Sequence, residues 1–158
     1  MRSLLRTVSA VSLVCLSAGA NGATVSEMEQ RTRAIATRYL QVWSSNDLAA
    51  VENVPYIYGR QVTFYGRPYS QSQLIAEKRR AIQQWPVRQY SHRLGSMRIY
   101  CNAHGQKCGA RSIIDFEVRN PARGLAKRGS ARFDLGVSFE GSKPLILWEG
   151  GSLGKRRD

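Results

Sequence analysis

Carboxylates are scarce in this sequence. Eleven Asp and Glu residues face 24 Lys and Arg, for a formal net charge of +13 at pH 7. Chemistry that needs a pair of carboxylates therefore has few candidates. Histidine occurs twice, as His92 and His104, and cysteine three times, as Cys15, Cys101 and Cys108. A zinc site built on Cys101, Cys108 and His104 lacks a fourth ligand, so no metal and no cofactor is expected. No glycine-rich loop of the P-loop kind occurs, which excludes that route to nucleotide binding. Internal repeats and low-complexity linkers are missing too, so solenoids and arrays are excluded.

What is present begins with an export signal. Arg2 and Arg6 make a positive start, an apolar stretch follows from Val8 to Leu16, and Ala18-Gly19-Ala20 offers small residues at −3 and −1 of a signal-peptidase site. The uncharged stretch Thr7 to Ala18 is about twelve residues, against the roughly twenty that span a bilayer as a helix. That weighs against an uncleaved anchor. Cys15 follows Ser12-Leu13-Val14, without the Leu at −3 and small residue at −1 of a lipidation site. The expectation is a signal peptide at 1–20, cleavage after Ala20, and a periplasmic or secreted single domain at 21–158. A basic tail starts at about residue 153 and carries Lys155, Arg156 and Arg157.

Removing Arg2 and Arg6 leaves 22 basic and 11 acidic side chains, a net charge of +11. Such a surface concentrates anionic partners. The expected partner is an anionic envelope component (lipid head group or glycan) or an acidic protein. Nucleic acid is disfavoured for a chain that leaves the cytoplasm. Export also removes Cys15, and the remaining pair, Cys101 and Cys108, is expected to be bridged in an oxidising compartment.

The spacing predicts a helix over 26–45, capped by Ser26 and Glu29. Its apolar stripe is Met28, Thr32, Ile35, Ala36, Tyr39, Leu40 and Trp43. A second, shorter helix runs through Leu48, Val51 and Val54 and stops at Pro55. A strand at 61–64 turns at Gly66, Arg67 and Pro68. A third helix opens on the Ser70–Gln73 capping box, carries Leu74, Ile75, Lys78, Ala81, Ile82 and Trp85, and ends at Pro86. Lys78 is expected to lie along that stripe by its stem, with its ammonium in water.

From there the period changes to two. A strand at 90–101, broken near Gly95, leads into a hairpin loop at 102–107. Cys108, Ala110, Ser112, Ile114, Phe116 and Val118 form the returning inner face. Ala131, Phe133, Leu135, Val137 and Phe139 alternate with polar residues, and a last strand covers 145–149. The economical architecture is α+β: three N-terminal helices on one face of a curved antiparallel sheet of four or five strands, a cone.

This order, with Tyr39-Leu40-Gln41-Val42-Trp43-Ser44-Ser45-Asn46 and Val62-Thr63-Phe64-Tyr65-Gly66, resembles the nuclear transport factor 2-like superfamily, also called the ketosteroid isomerase-like or cystatin-like cone. The segment Glu77-Lys78-Arg79-Arg80 through Trp85-Pro86-Val87-Arg88-Gln89-Tyr90 is similar to one in uncharacterised exported bacterial proteins of that fold. The likeness covers about 30 to 150. It implies a cavity between the first helix and the concave sheet, lined here by Tyr39, Trp43, Tyr58, Phe64 and Phe133. It implies accessory or binding modules more than one chemistry, because fold does not fix function.

Isomerase-type chemistry in such a cavity needs a carboxylate base and a neutral hydrogen-bond donor. Tyr39, Tyr56, Tyr58, Tyr65 and Tyr100 are candidate donors, and Asp115 and Asp134 candidate bases. Strand parity puts both aspartates on the outer face, with Asp134 in solvent beside Arg132. No catalytic residue is therefore assigned. His92 reads as a surface group without a Ser or Cys nucleophile to serve. Trp43 and Trp85 fall on helix stripes and read as core. Arg119, Arg123, Lys127, Arg128 and Arg132 crowd an acid-free loop between two strands. With Lys78, Arg79 and Arg80 they suggest an anion-binding rim made of Arg119, Arg123, Lys127, Arg128, Lys78, Arg79 and Arg80.

The expected function is a non-enzymatic exported binding or accessory domain. The alternatives are a small-molecule isomerase or dehydratase and an envelope or secretion-complex assembly factor. Mass spectrometry of the natural protein is expected to find Asn21 as the first residue and both remaining cysteines protected from alkylation until a reductant is added. An intact Met1 with two free thiols overturns the export reading.

Overall fold

The computed structural model describes residues 23–102 and 104–153. The export signal expected at 1–20 and the tail residues Lys155, Arg156 and Arg157 lie outside the described residues. Helix α1 spans Val25–Ser44 and starts earlier than the 26–45 spacing predicts. Thr24 and Glu27 repeat the Ser26–Glu29 pattern two residues upstream, and it is they that close the capping box. The Thr24 N–H donates to Glu27 at 2.7 Å and the Glu27 N–H to Thr24 Oγ1 at 3.2 Å. The earlier start lets Met28 enter the helical ladder and the core.

The second helix divides into α2 (Ala49–Glu52) and α3 (Val54–Ile57). Pro55 does not stop a helix here. It sits in the first turn of α3, where no N–H is required. Strand β1 (Tyr58–Phe64) and β2 (Arg67–Ser70) form a hairpin, so Arg67 and Pro68 belong to a strand and not to the turn. The turn is Tyr65-Gly66, both at positive φ (47° and 80°), the mirror-image geometry that matches strand twist. Pro68 is tolerated because β2 is an edge. Helix α4 (Gln71–Gln84) is capped by Ser70 and Gln73 as the spacing predicts.

Strands β3 (Val87–His92) and β4 (Arg98–Asn102) both pair with β5 (Lys107–Asn120), so the break at Gly95 (φ 71°) divides one edge into two pieces. Cys101 lies opposite Cys108 across that edge, bridged, with Cα atoms 4.1 Å apart. Strand β6 (Leu125–Ser138) and β7 (Leu145–Leu153) complete a curved, unclosed sheet of seven strands, two or three more than expected. Its order is β2-β1-β7-β6-β5-β3, with β4 beside β5. One pair, β1 with β7, is parallel, which corrects the expected all-antiparallel sheet. The basic stretch after Val118 is not a loop: β5 and β6 stay paired out to Asn120 and Leu125, and only a tight turn through Gly124 (φ 62°) separates them.

The even-numbered residues of β5 and the odd-numbered ones of β6 face the helices, as the alternation predicts. Ala110, Ile114, Phe133, Leu135 and Val137 pack with Met28, Ala36 and Leu40 of α1 and Leu74 of α4 in one core. A different device fixes where both long helices end. The buried guanidinium of Arg88 donates to carbonyls of Trp43 (3.0 Å) and Ser45 (2.5 Å) at the end of α1. It also donates to Trp85 (2.9 Å) and Pro86 (3.2 Å) at the end of α4, and to Asp47 (3.4 Å). The last carbonyls of a helix have no partner within it. One side chain supplies partners to two helices, and this is the local reason for the arginine at position 88.

Arg88→Met strands those carbonyls, and its expected cost is roughly 3 kcal/mol in urea unfolding, from several buried acceptors losing charged donors. Arg88→Lys, which cannot fork, is expected to recover less than half of that loss. A loss within measurement error for Arg88→Met removes the arginine from this role.

Candidate functional site

Lys78 is the residue the structure relocates most. Its whole side chain is buried, at 1% relative exposure, and its ammonium points into the cone instead of reaching water. Nζ lies 4.6 Å from the Trp43 ring centre, 5.0 Å from Tyr58, 5.3 Å from Tyr39 and 5.9 Å from Phe64. Ring faces attract a cation, most strongly where water is excluded, at about 2 kcal/mol for a desolvated pair. The remaining ligand of the ammonium is Glu149 of β7, with Oε2 at 3.3 Å. Burial pulls the Lys78 amine below its ordinary 10.5, and the Glu149 charge opposes part of that fall.

Glu149 accepts two further bonds. Tyr58 donates to Oε2 at 2.6 Å and Tyr39 donates to Oε1. Burial, reinforced by the Glu149 charge, raises both hydroxyls well above 10, so they stay protonated donors. Glu149 faces the helices because it pairs with Leu135 on the inner face of β6. No sequence signal isolates it. Leu145-Ile146-Leu147-Trp148 is a continuous apolar run, so alternation cannot say which face the next residue takes.

This cluster stands between two cavities. The inner one, about 220 Å³, has Tyr39, Trp43, Phe64, Phe133 and Glu149 in its wall. The other is a lateral groove of about 410 Å³ between α1, the α2–α3 segment and the start of β7, with Tyr39, Trp43 and Tyr58 at its base. Of the aromatic residues assigned to a cavity wall, Tyr58 lines the groove, Phe64 and Phe133 line the inner cavity, and Tyr39 and Trp43 border both.

The other candidates are dispersed. Tyr56 is 67% exposed and Tyr100 lies exposed on β4, whereas Tyr65, in the hairpin turn, also lines the inner cavity beside Glu149. Asp115 is on the outer face, where Arg93 (2.5 Å) and Ser130 (2.6 Å) hold its carboxyl below the usual range. Asp134 also points outward, but it is not in solvent. It is 1% exposed beneath Arg111 (2.5 Å) and Arg132 (2.8 Å), whose stems shield it from water. His92 is not a surface group either. It pairs with Ile114 on the inner face and lies edge-on to Phe133, 5.2 Å between ring centres. Nε2 donates to the Ala36 carbonyl at 3.1 Å and Nδ1 accepts from Ser112 at 2.7 Å, while burial lowers its pKa. Ser112 is buried in β5, so the pair presents no nucleophile to a cavity. Trp85 is half-buried at the end of α4.

The anion-binding rim loses Lys78 to the interior. Arg80 pairs with Glu77 (2.8 Å) and Arg119 with Glu117 (3.6 Å). Arg79, Arg123, Lys127 and Arg128 are exposed and have no carboxylate partner among the described residues.

The chain has the nuclear transport factor 2-like cone fold. An NTF2-like superfamily protein from Salmonella enterica serovar Typhimurium superposes with a TM-score of 0.67 at 13% identity, covering 85% of this chain and 96% of that one. An uncharacterised protein with a cystatin-like fold from Caulobacter vibrioides gives 0.65 at 12%, covering 81% and 91%. A protein from Novosphingobium aromaticivorans, provisionally named a scytalone dehydratase, gives 0.64 at 8%, covering 80% and 84%. No protein-family model and no curated protein matches the sequence.

Removing one member of the buried pair strands the other. Lys78→Met is expected to cost about 3–5 kcal/mol in urea unfolding. The double variant Lys78→Met/Glu149→Gln is expected to be more stable than Lys78→Met alone, because the Gln carbonyl still accepts from one tyrosine, its NH2 can donate to the other hydroxyl oxygen, and no charge remains. Additive losses contradict that coupling.

Proposed function

We propose that this protein is an exported binding domain of the cone fold, not an enzyme. The observation that carries the reading is the state of Glu149. It is the only carboxylate among the residues that line the inner cavity, and both its oxygens are engaged, one by Tyr39 and one by Tyr58 and Lys78. A general base needs an oxygen open to the proton it takes. The inner cavity also has little room, whereas the lateral groove falls within the few-hundred-Å³ range of small-molecule sites. Export is supported by the n-region, apolar stretch and small-residue pattern of 1–20, together with the Cys101–Cys108 bridge.

One observation favours the enzyme reading: a buried carboxylate next to tyrosine hydroxyls is the pairing that ketosteroid isomerase-type proton transfer needs. The ammonium against that carboxylate counts against it, since it competes with any substrate proton. Incubation with a β,γ-unsaturated cyclic ketone, followed by the absorbance of the conjugated enone, decides between them. No rate above buffer is expected. Enone formation that disappears in Tyr39→Phe makes the protein an isomerase.

A further inference from the structure

The lateral groove has a chemical character of its own. Its walls are aliphatic, with Ile35 and Val42 from α1, Ile57 from α3 and Ile146 from β7. The tyrosines at its base spend their hydroxyls on Glu149, so they offer the groove ring carbon. A single charged side chain, Arg38, lines it. Arg38 is exposed on α1 and has neither a carboxylate nor a carbonyl partner among the described residues, unlike Arg88, Arg93, Arg111 and Arg132. An apolar trough with one unengaged guanidinium suits a ligand with an apolar body and one anionic end. The planar fork of Arg matches a carboxylate. The groove is walled on three sides by α1, α2–α3 and β7, which suits one chain and not a flat membrane surface.

We propose that this groove binds a free medium-chain fatty acid, its carboxylate on Arg38 and its chain against Ile35, Val42, Ile57 and Ile146. The proposal rests on the binding-domain reading and names the ligand class for it. The inner cavity takes no part, because the Lys78–Glu149 cluster and the Tyr39 and Trp43 rings stand between the two spaces.

Equilibrium dialysis of the disulfide-intact exported protein against radiolabelled decanoate, below its micellar concentration, tests this. Decanol and decyltrimethylammonium serve as competitors. Decanoate is expected to bind, and Arg38→Gln to weaken it about ten-fold or more, as loss of a charged hydrogen bond implies. Ala34→Trp, which fills the groove from an exposed position and leaves the core alone, is expected to abolish binding. Decanol is expected to compete equally in wild type and Arg38→Gln. The proposal is overturned by unchanged affinity in Arg38→Gln, by better competition from the cationic amphiphile than from decanol, or by no binding at all. Binding that survives Ala34→Trp sinks the groove and leaves the binding-domain reading standing. Enone formation in the ketone assay sinks that reading itself, whatever decanoate does.

Discussion

An ammonium and a carboxylate taken out of water together, 3.3 Å apart, set the terms for everything around them in this domain. Either charge alone in that interior is prohibitive, so each needs several partners at once. Lys78 finds four aromatic faces and one oxygen; Glu149 finds two hydroxyls and one ammonium. The contributors come from α1, α4, β1 and β7, which are the elements that close the cone. The polar cluster therefore specifies how the helices sit on the sheet, while the surrounding apolar contacts supply most of the favourable free energy.

That arrangement also explains the distribution of interior space. A cone with an empty centre and a free carboxylate is a reaction chamber. Here the chain's own lysine occupies the centre, and the larger cavity is displaced to the flank of α1. The outer face of the sheet follows a parallel logic. Four of its arginines, Arg93, Arg111, Arg119 and Arg132, are tied to Asp115, Asp134 or Glu117, so the surface is less of a cationic field than the net charge implies. Three cations without a carboxylate partner among the described residues, Arg123, Lys127 and Arg128, lie near the β5–β6 turn.

Much of the architecture was legible in the residues. The Ser70–Gln73 box, the two-residue alternation of β5 and β6 and the cysteine pair each carry a local pattern that needs no tertiary context. The Thr24–Glu27 cap shows the limit of such patterns, because two overlapping copies of one motif leave the choice to packing. β7 shows another: its pairing with β1 is non-local and parallel, and an apolar run gives no parity. Lys78 and His92 were misplaced for a common reason. Polar residues on an amphipathic stripe or strand end are ordinarily solvated, and only distant partners, Glu149 and the Ala36 carbonyl, make their burial tolerable. The candidate site was thus half visible: Tyr39, Trp43, Tyr58, Phe64 and Phe133 through the cavity that the family resemblance implies, the charges they surround not at all.

The parallel ladder between β1 and β7 has a kinetic corollary. The acceptor for Lys78 lies 71 positions downstream, on the last described strand. A polypeptide that emerges amino end first from a ribosome or translocation pore presents α1, α4 and their exposed lysine long before that acceptor arrives. Closure of the cone is then a late, long-loop event, slow compared with forming the helices. Until it happens, the half-built interior stays hydrated around an unpaired cation. That hydration discourages premature collapse of the apolar faces around it.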